Sequence, residues 1–243
     1  MSLFSISDLH LSLSSSKPMD VFGKRWIGYT EKLEKNWRAV VKDDDTVVIP
    51  GDISWAMRLE EVAADFKFID SLPGRKLIGK GNHDYWWTTL SKMESALESW
   101  DIHSISFLHN NAYVADGHII CGSRGWFVDE ALHGRAVTNN ADFEKMSARE
   151  ALRLRASLDA GRALESEHGK LPMLVYLHFP PVFSDIVCRP LIELMHEYGV
   201  KRCFYGHLHG NYTIPRHITY DGIELSIIAA DHLEFVPYLT YKA

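Results

Sequence analysis

The chain has 243 residues, of which 46% are hydrophobic and 24% charged, and its formal net charge is −6. This composition is ordinary for a globular protein with a buried core. The negative balance disfavours a nonspecific nucleic-acid binder, which needs a basic face, and no stretch approaches the roughly 18 apolar residues of a membrane span. We therefore expect neither evident nucleic-acid binding nor membrane insertion.

The first half of the chain alternates short apolar runs with helical patterns. In the second helical pattern, Val62, Phe66 and Ile69 recur on one side at intervals of four and three residues. Strand–helix alternation of this kind predicts a parallel sheet with right-handed crossovers. We predict strands at 3–7, 46–50 and 75–79, and helices at 30–41, 59–72 and 88–100.

The middle of the chain is less regular. Asp116-Gly117 between two apolar runs predicts a hairpin. Residues 123–141 show little periodicity, and we interpret them as a long excursion, a kind of segment that is often functional. A long helix follows at about 142–167, with Glu150 among the arginine and glutamate residues of its solvated face. The short strands are expected at 106–109, 112–115 and 118–122.

The last third of the chain returns to short apolar runs and contains no linker or internal repeat. We therefore expect a single domain over residues 1–243, with the excursion and long helix of 123–168 inside it. The remaining elements are predicted as strands at 171–177, 202–205, 224–229 and 234–238 and a helix at 190–198.

The cysteines and the N-terminus indicate the compartment. Cys121, Cys188 and Cys203 stand singly, and an odd number without a Cys-x-x-Cys pair predicts free thiols. The chain runs directly into a short apolar strand and lacks the basic segment and longer apolar run of a signal peptide. We expect a cytoplasmic protein.

Five polar clusters dominate the sequence, and four of them directly follow apolar runs that we predict as strands. Their carboxylate, amide and imidazole groups bind hard or borderline metal ions. Because ligands of open α/β sheets bind beyond the carboxyl ends of the strands, we expect one site assembled from the whole fold. The clusters are Asp8-Leu9-His10, Gly51-Asp52, Gly81-Asn82-His83-Asp84, His178 before Phe-Pro-Pro, and Gly206-His207-Leu208-His209.

In this order the clusters resemble the motifs of the calcineurin-like metallophosphoesterase family, from Asp8 to His209. The resemblance implies an α/β fold, a four-layer α-β-β-α sandwich with its metal site at the carboxyl ends of the strands. It also implies two metal ions roughly 3.5–4 Å apart. Mixed oxygen and nitrogen ligands suit Mn, Fe, Zn, Co or Ni, and the sequence leaves the metal open.

The family pattern, carried over residue by residue, implies two sets of ligands and a bridge between them. The first ion is expected at Asp8, His10 and His209, the second at Asn82, His178 and His207, and the bridging carboxylate is Asp52.

The same pattern implies a different task for the two residues that follow Asn82. His83 would face the substrate and donate a proton to the leaving oxygen. Asp84 would hydrogen-bond the His83 ring and fix its tautomer. These two residues are the predicted catalytic pair.

Four further side chains are candidates for substrate binding. Trp55 and Trp86 lie within a few residues of a motif, and Trp126 lies in the excursion at 123–141. All three could wall a substrate cleft, but tryptophan is also a common core residue. Arg124 ends a predicted strand, where it could meet a phosphate bidentately or serve a structural role.

The expected function is hydrolysis of a small phosphorylated substrate by attack of a metal-bridging hydroxide. The Gly-Asn-His-Asp form resembles the phosphodiesterase branch of the family, whereas serine/threonine phosphatases tend to carry Glu at the position of Asp84. The alternatives are a phosphomonoesterase or protein phosphatase and, in another class, a non-catalytic scaffold with the same fold.

Overall fold

The computed structural model describes residues 1–14, 17, 19–126 and 140–242. Helices account for five segments of this part of the chain: α1 (Tyr29–Val40), α2 (Ala63–Ser71), α3 (Leu90–Ser99), α4 (Asn140–His168) and α5 (Arg189–Glu197). The strands are β1 (Ser2–Ser5), β2 (Thr46–Ile49), β3 (Arg75–Ile78), β4 (Ile105–Phe107), β5 (Ala112–Ala115), β6 (His118–Ser123), β7 (Met173–Leu177), β8 (Val182–Phe183), β9 (Ile186–Val187), β10 (Arg202–Tyr205), β11 (His217–Tyr220), β12 (Ile223–Ile227) and β13 (Tyr238–Lys242).

The first sheet has the strand order β13-β1-β2-β3-β4. Strands β1 to β4 pair in parallel, as the strand–helix alternation predicted, and β13 closes the edge antiparallel to β1. All four residues of β2 are buried. A continuous apolar run of this kind is typical of a parallel strand that is covered on both faces.

The second sheet has the strand order β11-β12-β10-β7-β6-β5. Its four inner strands are parallel, while β5 and β11 pair antiparallel at the two edges. The β5–β6 hairpin turns at Asp116 and Gly117, both with positive φ. That is the backbone that a two-residue hairpin loop requires, so the predicted hairpin is confirmed.

The side chains of β7 show how the layers are arranged. Tyr176 packs in the core cluster that also contains residues of the first sheet, and its hydroxyl lies 3.0 Å from Ser5 Oγ of β1. Val175 and Leu177 point to the opposite face, into a second cluster with Leu158 of α4 and Leu191 of α5. The first cluster also takes in residues of α1, α2 and α3. The predicted four-layer α-β-β-α sandwich is confirmed.

Several predicted boundaries are wrong. Residues 231–235 form turns, so the strand predicted at 234–238 is wrong at its start, and the last strand is β13. The apolar side chains of Leu233 and Phe235, which suggested a strand, are buried within these turns, with Phe235 at positive φ. Strands β8, β9 and β11 were not predicted. Most of the predicted excursion at 123–141 lies outside the described residues.

The three cysteines are buried and free. Within the described ranges, no helix has both the length and the apolar character to cross a bilayer.

Candidate metal centre

The five polar clusters meet at one end of the sandwich. The loops after β1, β2, β3, β7 and β10 carry them, and these strands belong to both sheets. Backbone hydrogen bonds join the loop after β1 to the segment after β12 of the other sheet: Ser7 N donates to Ile228 O (2.8 Å) and Ala230 N donates to Ser7 O (2.8 Å). The carboxyl ends of the two sheets therefore form one continuous floor, where an α/β fold places its ligands.

Four of the predicted metal ligands have left-handed backbone conformations. Asp8, His10, Asp52 and His207 have φ values of 58°, 46°, 51° and 67°. Residues other than glycine adopt this region rarely, and such strain concentrates at functional sites. The loops are thus bent to direct these side chains inward.

Two glycines let the backbone pass directly beside the carboxylates. A Cβ atom on Gly81 would overlap the Asp52 carboxylate, and a Cβ atom on Gly206 would overlap the carboxylate of Asp8. Only glycine leaves room for such an approach. The glycines of the third and fifth motifs are therefore required by packing against the carboxylates of Asp52 and Asp8.

The predicted ligands come together in two groups that share Asp52 as a neighbour. Asn82 Oδ1 lies 2.7 Å from His178 Nε2 and 3.0 Å from His207 Nδ1. Asp52 Oδ2 lies 3.6 Å from His10 Nε2 and 3.5 Å from His178 Nε2, between the groups.

Carboxylate and imidazole atoms within 4.8 Å of one another define two candidate sites. One consists of Asp8, His10 and His209, and the other of Asp8, Asp52 and His178. The first is the ligand set expected for the first ion. Together with the Asn82 contacts, all seven predicted ligands surround one pocket.

The chemistry of this donor set fits a pair of cations. Asp8, His10, Asp52 and His178 are fully buried. Among the described residues, both ring nitrogens of His10, Asp52 Oδ2 and His178 Nδ1 have no hydrogen-bond partner. An unsatisfied buried polar group costs about 1–3 kcal/mol. Bound metal ions would satisfy Asp52 Oδ2 and one ring nitrogen of His10, so the residues present fit the dinuclear site that the resemblance implies.

Burial also shifts the protonation of the ligands. Desolvation raises the pKa of Asp8 to about 8 and raises that of Asp52 well above its ordinary value, with charge repulsion between the two carboxylates adding to the shift of Asp52. Desolvation lowers the pKa of His10 and His178 well below the usual histidine range. These imidazoles are therefore neutral at pH 7, as metal ligands must be, and a cation would favour the ionised carboxylates.

His83 lies beside the predicted ligands and is only partly buried. Its backbone N–H donates to Asp52 Oδ1 (2.8 Å), and its ring centroid lies 4.5 Å from that of Trp55 and 5.6 Å from that of His10. The residue is thus anchored to the bridging carboxylate through its backbone, while its ring lies beside the ligands. A role as proton donor stays a prediction.

Asp84 has a structural task that the sequence did not predict. Its buried carboxylate accepts hydrogen bonds from the backbone N–H groups of Asp52 (2.9 Å), Ile53 (2.9 Å) and Gly81 (2.7 Å) and from Trp86 Nε1 (3.1 Å). It therefore ties the loop after β2 to the loop after β3. The predicted bond to the His83 ring stays a prediction.

The three tryptophans predicted near the substrate have different positions. Trp55 is partly exposed, stacks on the His10 ring at 4.8 Å, and carries Lys17 Nζ 3.1 Å above its ring centroid. Trp126 is partly exposed and lies 5.9 Å from the Phe179 ring. Trp86 is 2% exposed, so the prediction that it binds substrate is wrong: it is a core residue.

Asp231 is a site residue that sequence reasoning missed. It is fully buried, and its Oδ2 accepts hydrogen bonds from Gly210 N (2.7 Å) and Tyr212 Oη (3.1 Å). Its charge opposes the desolvation that lowers the pKa of His209. The sequence pattern that indicated the other carboxylates could also have indicated Asp231, because it directly follows an apolar run at 227–230.

Replacement of Asp231 by asparagine is expected to weaken binding of the first metal about 10–100-fold, the usual cost of losing a group that orients a ligand. The side-chain amide would present N–H groups where Gly210 N and Tyr212 Oη now donate. Calorimetric titration with Mn²⁺ measures the effect. Asp221→Asn, at an exposed carboxylate, is the control. Equal affinity in wild type and Asp231→Asn would contradict the role.

Comparison with known proteins gives a family and a fold. The sequence matches the family model described as calcineurin-like phosphoesterase over residues 1–211. No curated protein matches the sequence.

Solved structures that resemble the chain share little sequence with it. The protein TT1561 of Thermus thermophilus is 12% identical, with 95% of this chain and 89% of that chain covered and a TM-score of 0.55. The phosphopantetheinyl hydrolase PptH from Mycobacterium tuberculosis is 19% identical, with coverages of 94% and 88% and a TM-score of 0.49. A protein of unknown function from Aquifex aeolicus, AQ665, is 15% identical, with coverages of 98% and 94% and a TM-score of 0.49. At such identities, the likeness to TT1561 shows a shared fold alone.

Proposed function

Since the chain belongs to the calcineurin-like phosphoesterase family, we propose that it hydrolyses phosphate diesters with two metal ions held around Asp52. Family membership makes it a metal-dependent phosphoesterase, and the preference for diesters is the proposal. The observation that carries the two-metal centre is the convergence of all seven predicted ligand side chains, four of them fully buried, at one end of the sandwich.

The two cations, when bound, would neutralise the phosphoryl oxygens and make water acidic enough to supply a nucleophile at neutral pH. Asp8, His10 and His209 would hold one ion, and Asn82, His178 and His207 the other, with Asp52 between them.

The chain itself supplies positioning and a proton. The left-handed backbone at Asp8 and Asp52 and the Asp84 carboxylate fix the loops, so the donors need little rearrangement to bind metal. His83, partly exposed beside the pocket, would donate its proton to the departing alkoxide. Trp55 packs against the His83 and His10 rings and limits their freedom.

Two partly exposed tryptophans support a substrate with two ester substituents. Trp55 lies beside His10 in the ligand set of the first ion. Trp126 lies near Phe179, whose ring is 4.5 Å from that of His207 in the other set. A diester centred on the two ions would have an aromatic surface available on each side, and aromatic rings stack well on bases or sugars.

The proposal is tested by comparing bis-p-nitrophenyl phosphate with p-nitrophenyl phosphate. Hydrolysis of the diester is expected to require Mn²⁺ or another divalent ion and to stop with chelator, and kcat/KM is expected to be higher for the diester. A strong preference for the monoester would overturn the diester assignment. Absence of hydrolysis with every divalent metal would favour a non-catalytic scaffold.

A further inference from the structure

Glu150 of α4 is fully buried, although the sequence placed it on a solvated face. That expectation is wrong because the carboxylate lies between Arg153 of the same helix and Arg124 of the segment after β6. Its Oε1 lies 2.5 Å from Arg153 Nη1 and 3.7 Å from Arg124 Nη2, and within the described residues its Oε2 has no hydrogen-bond partner. A buried carboxylate without a paired cation is strongly destabilising, so Glu150 holds the guanidinium groups of Arg153 and Arg124 close to it.

Arg124 is the partner of Glu150 that can reach a ligand. Its side chain is only 20% exposed, and among the described residues its buried Nε has no hydrogen-bond partner. At 3.7 Å the Glu150 carboxylate attracts the guanidinium, but this distance is too long for a hydrogen bond. A guanidinium carries five N–H donors in a fork that matches a phosphate. Within the described part of the chain, Arg124 is therefore held in place with its Nε donor unused.

The surroundings of Arg124 carry an excess of positive charge. Arg153 Nη1 and Arg124 Nη2 lie 2.5 and 3.7 Å from the same Glu150 oxygen. Burial lowers the pKa of the Arg124 guanidinium, and the positive charges of Arg153 and Arg149 lower it further. Half-buried His109 also faces this group, and its pKa is lowered by burial, Arg153 and Lys80. Among the described residues, Glu150 is the acid outside the metal centre that acts on both Lys80 and Arg124. The other acids that act on them, Asp84 and Asp52, lie in the metal centre. In a chain of net charge −6, such a local excess of cations is suited to an anionic ligand.

This group adjoins the position of the second ion. The backbone oxygen of Arg124 accepts hydrogen bonds from His178 N (3.1 Å) and Phe179 N (2.9 Å). The Arg124 guanidinium lies 5.8 Å from the Phe179 ring centroid. Lys80 directly precedes the Gly81-Asn82-His83-Asp84 motif. A substrate on the metal ions would thus have a cationic surface on its Asn82–His178 side.

We propose that Arg124, positioned by the buried Glu150 and beside Arg153, forms a subsite for a second phosphate group on the substrate. The inference rests on the proposed function, because it takes the scissile phosphate to lie at the metal centre. The substrate class is then a phosphate ester that carries a further phosphate elsewhere in the same molecule.

Product-like ligands test the subsite without catalysis. Thymidine 5′-phosphate and thymidine 3′,5′-bisphosphate differ by one phosphate, and calorimetry with the Mn²⁺-loaded protein gives the affinity of each. The bisphosphate is expected to bind about tenfold tighter, in line with one charge-assisted phosphate contact. Arg124→Met is expected to remove most of this preference, and Arg124→Lys to retain part of it. The control is Arg155→Met on the same helix as Glu150, at an exposed arginine that pairs with Glu197; it should keep the full preference.

Kinetics provide the second readout. The p-nitrophenyl ester of thymidine 5′-phosphate is compared with and without a 3′-phosphate. The phosphorylated ester is expected to have the lower KM, and Glu150→Gln, which removes the charge that positions Arg124, is expected to reduce this KM advantage. A structural defect would instead lower kcat for both esters equally.

The possible outcomes separate the subsite from the proposed function. Equal affinity of wild type for the two thymidine ligands, or a preference that persists in Arg124→Met, overturns the subsite. If no ester is hydrolysed but the Arg124-dependent affinity difference is present, the subsite stands and the proposed function fails.

Discussion

Replacement of Asp52 by asparagine is expected to abolish metal-dependent hydrolysis while making the metal-free protein more stable. Asp52 is fully buried beside Asp8, and its Oδ2 has no hydrogen-bond partner in the part of the chain that the structure describes. Without metal, two buried carboxylates repel each other and are poorly solvated, which is costly. With metal, the same carboxylate is the predicted bridge. Because two ions contribute several kcal/mol to such reactions, turnover should fall by at least about 10³-fold.

The sign of the pH dependence follows from the raised carboxyl pKa values. Burial raises the pKa of Asp8 from 3.8 to about 8, so the folded metal-free protein binds a proton that the unfolded chain releases. Stability contributed in this way is present at low pH and is lost as pH rises from about 4 to 8. Asp52→Asn removes one of the two buried carboxyl groups, so the stability of the metal-free variant should fall less than that of wild type as the pH rises.

Thermal unfolding of the chelated and the Mn²⁺-loaded protein measures both effects. The melting temperature of wild type should rise on Mn²⁺ addition. Without metal, Asp52→Asn should have a higher melting temperature than wild type, and Mn²⁺ should raise it little. Asp101→Asn, at a carboxylate whose side chain is 94% exposed, is the matched control and should behave as wild type. A lower melting temperature for chelated Asp52→Asn than for chelated wild type would contradict the account.

The His83→Ala variant is expected to keep both metals and to lose roughly 10²–10⁴-fold in turnover, the range for a general acid. The ring lies beside the ligands and is partly exposed, while the contact with Asp52 is made by the backbone N–H, which alanine retains. Metal content by elemental analysis and kcat are measured together. His103→Ala, at an exposed histidine, should leave both unchanged. Loss of metal in His83→Ala would show that the residue is a ligand or essential to the ligand loops.

A poor leaving group should make the effect of His83→Ala larger. The proton of a general acid matters most when the departing alkoxide is basic, so an alkyl ester should lose more rate than a p-nitrophenyl ester. Equal losses for both esters would indicate that His83 stabilises charge on the phosphoryl group instead.

Much of the site could be predicted from the sequence because its parts obey local rules. A buried parallel strand needs a continuous apolar run, as in β2, and the first polar residue after it lies at the sheet edge. Asp52 follows β2 in this way, and Asp231 follows β12 by the same rule, although it was missed. A close approach of the backbone at Gly81 and Gly206 can also be predicted from the sequence, since glycine leaves room where another residue would place a Cβ atom.

Other features depended on which surfaces cover each other. Helical periodicity orders the residues of α4 around its axis, but it does not say that Glu150 lies under the loop of Arg124. Trp86 and Trp55 have the same chemistry and similar distances in sequence from a motif, yet Trp86 packs on Phe66 in the core while Trp55 stacks on His10. Only the arrangement of the layers distinguishes them.

The sequence by itself determined which strands precede the polar clusters, which residues are the predicted metal ligands, and the family to which the chain belongs. Strand ends, turn residues and ligand types are set by neighbours along the chain. Tertiary structure alone decided which charged groups are buried together, namely Asp52 with Asp8 and Glu150 with Arg124 and Arg153. Burial is a property of contacts between segments far apart in the chain, and the energy of a charge depends on that burial more than on its sequence neighbours.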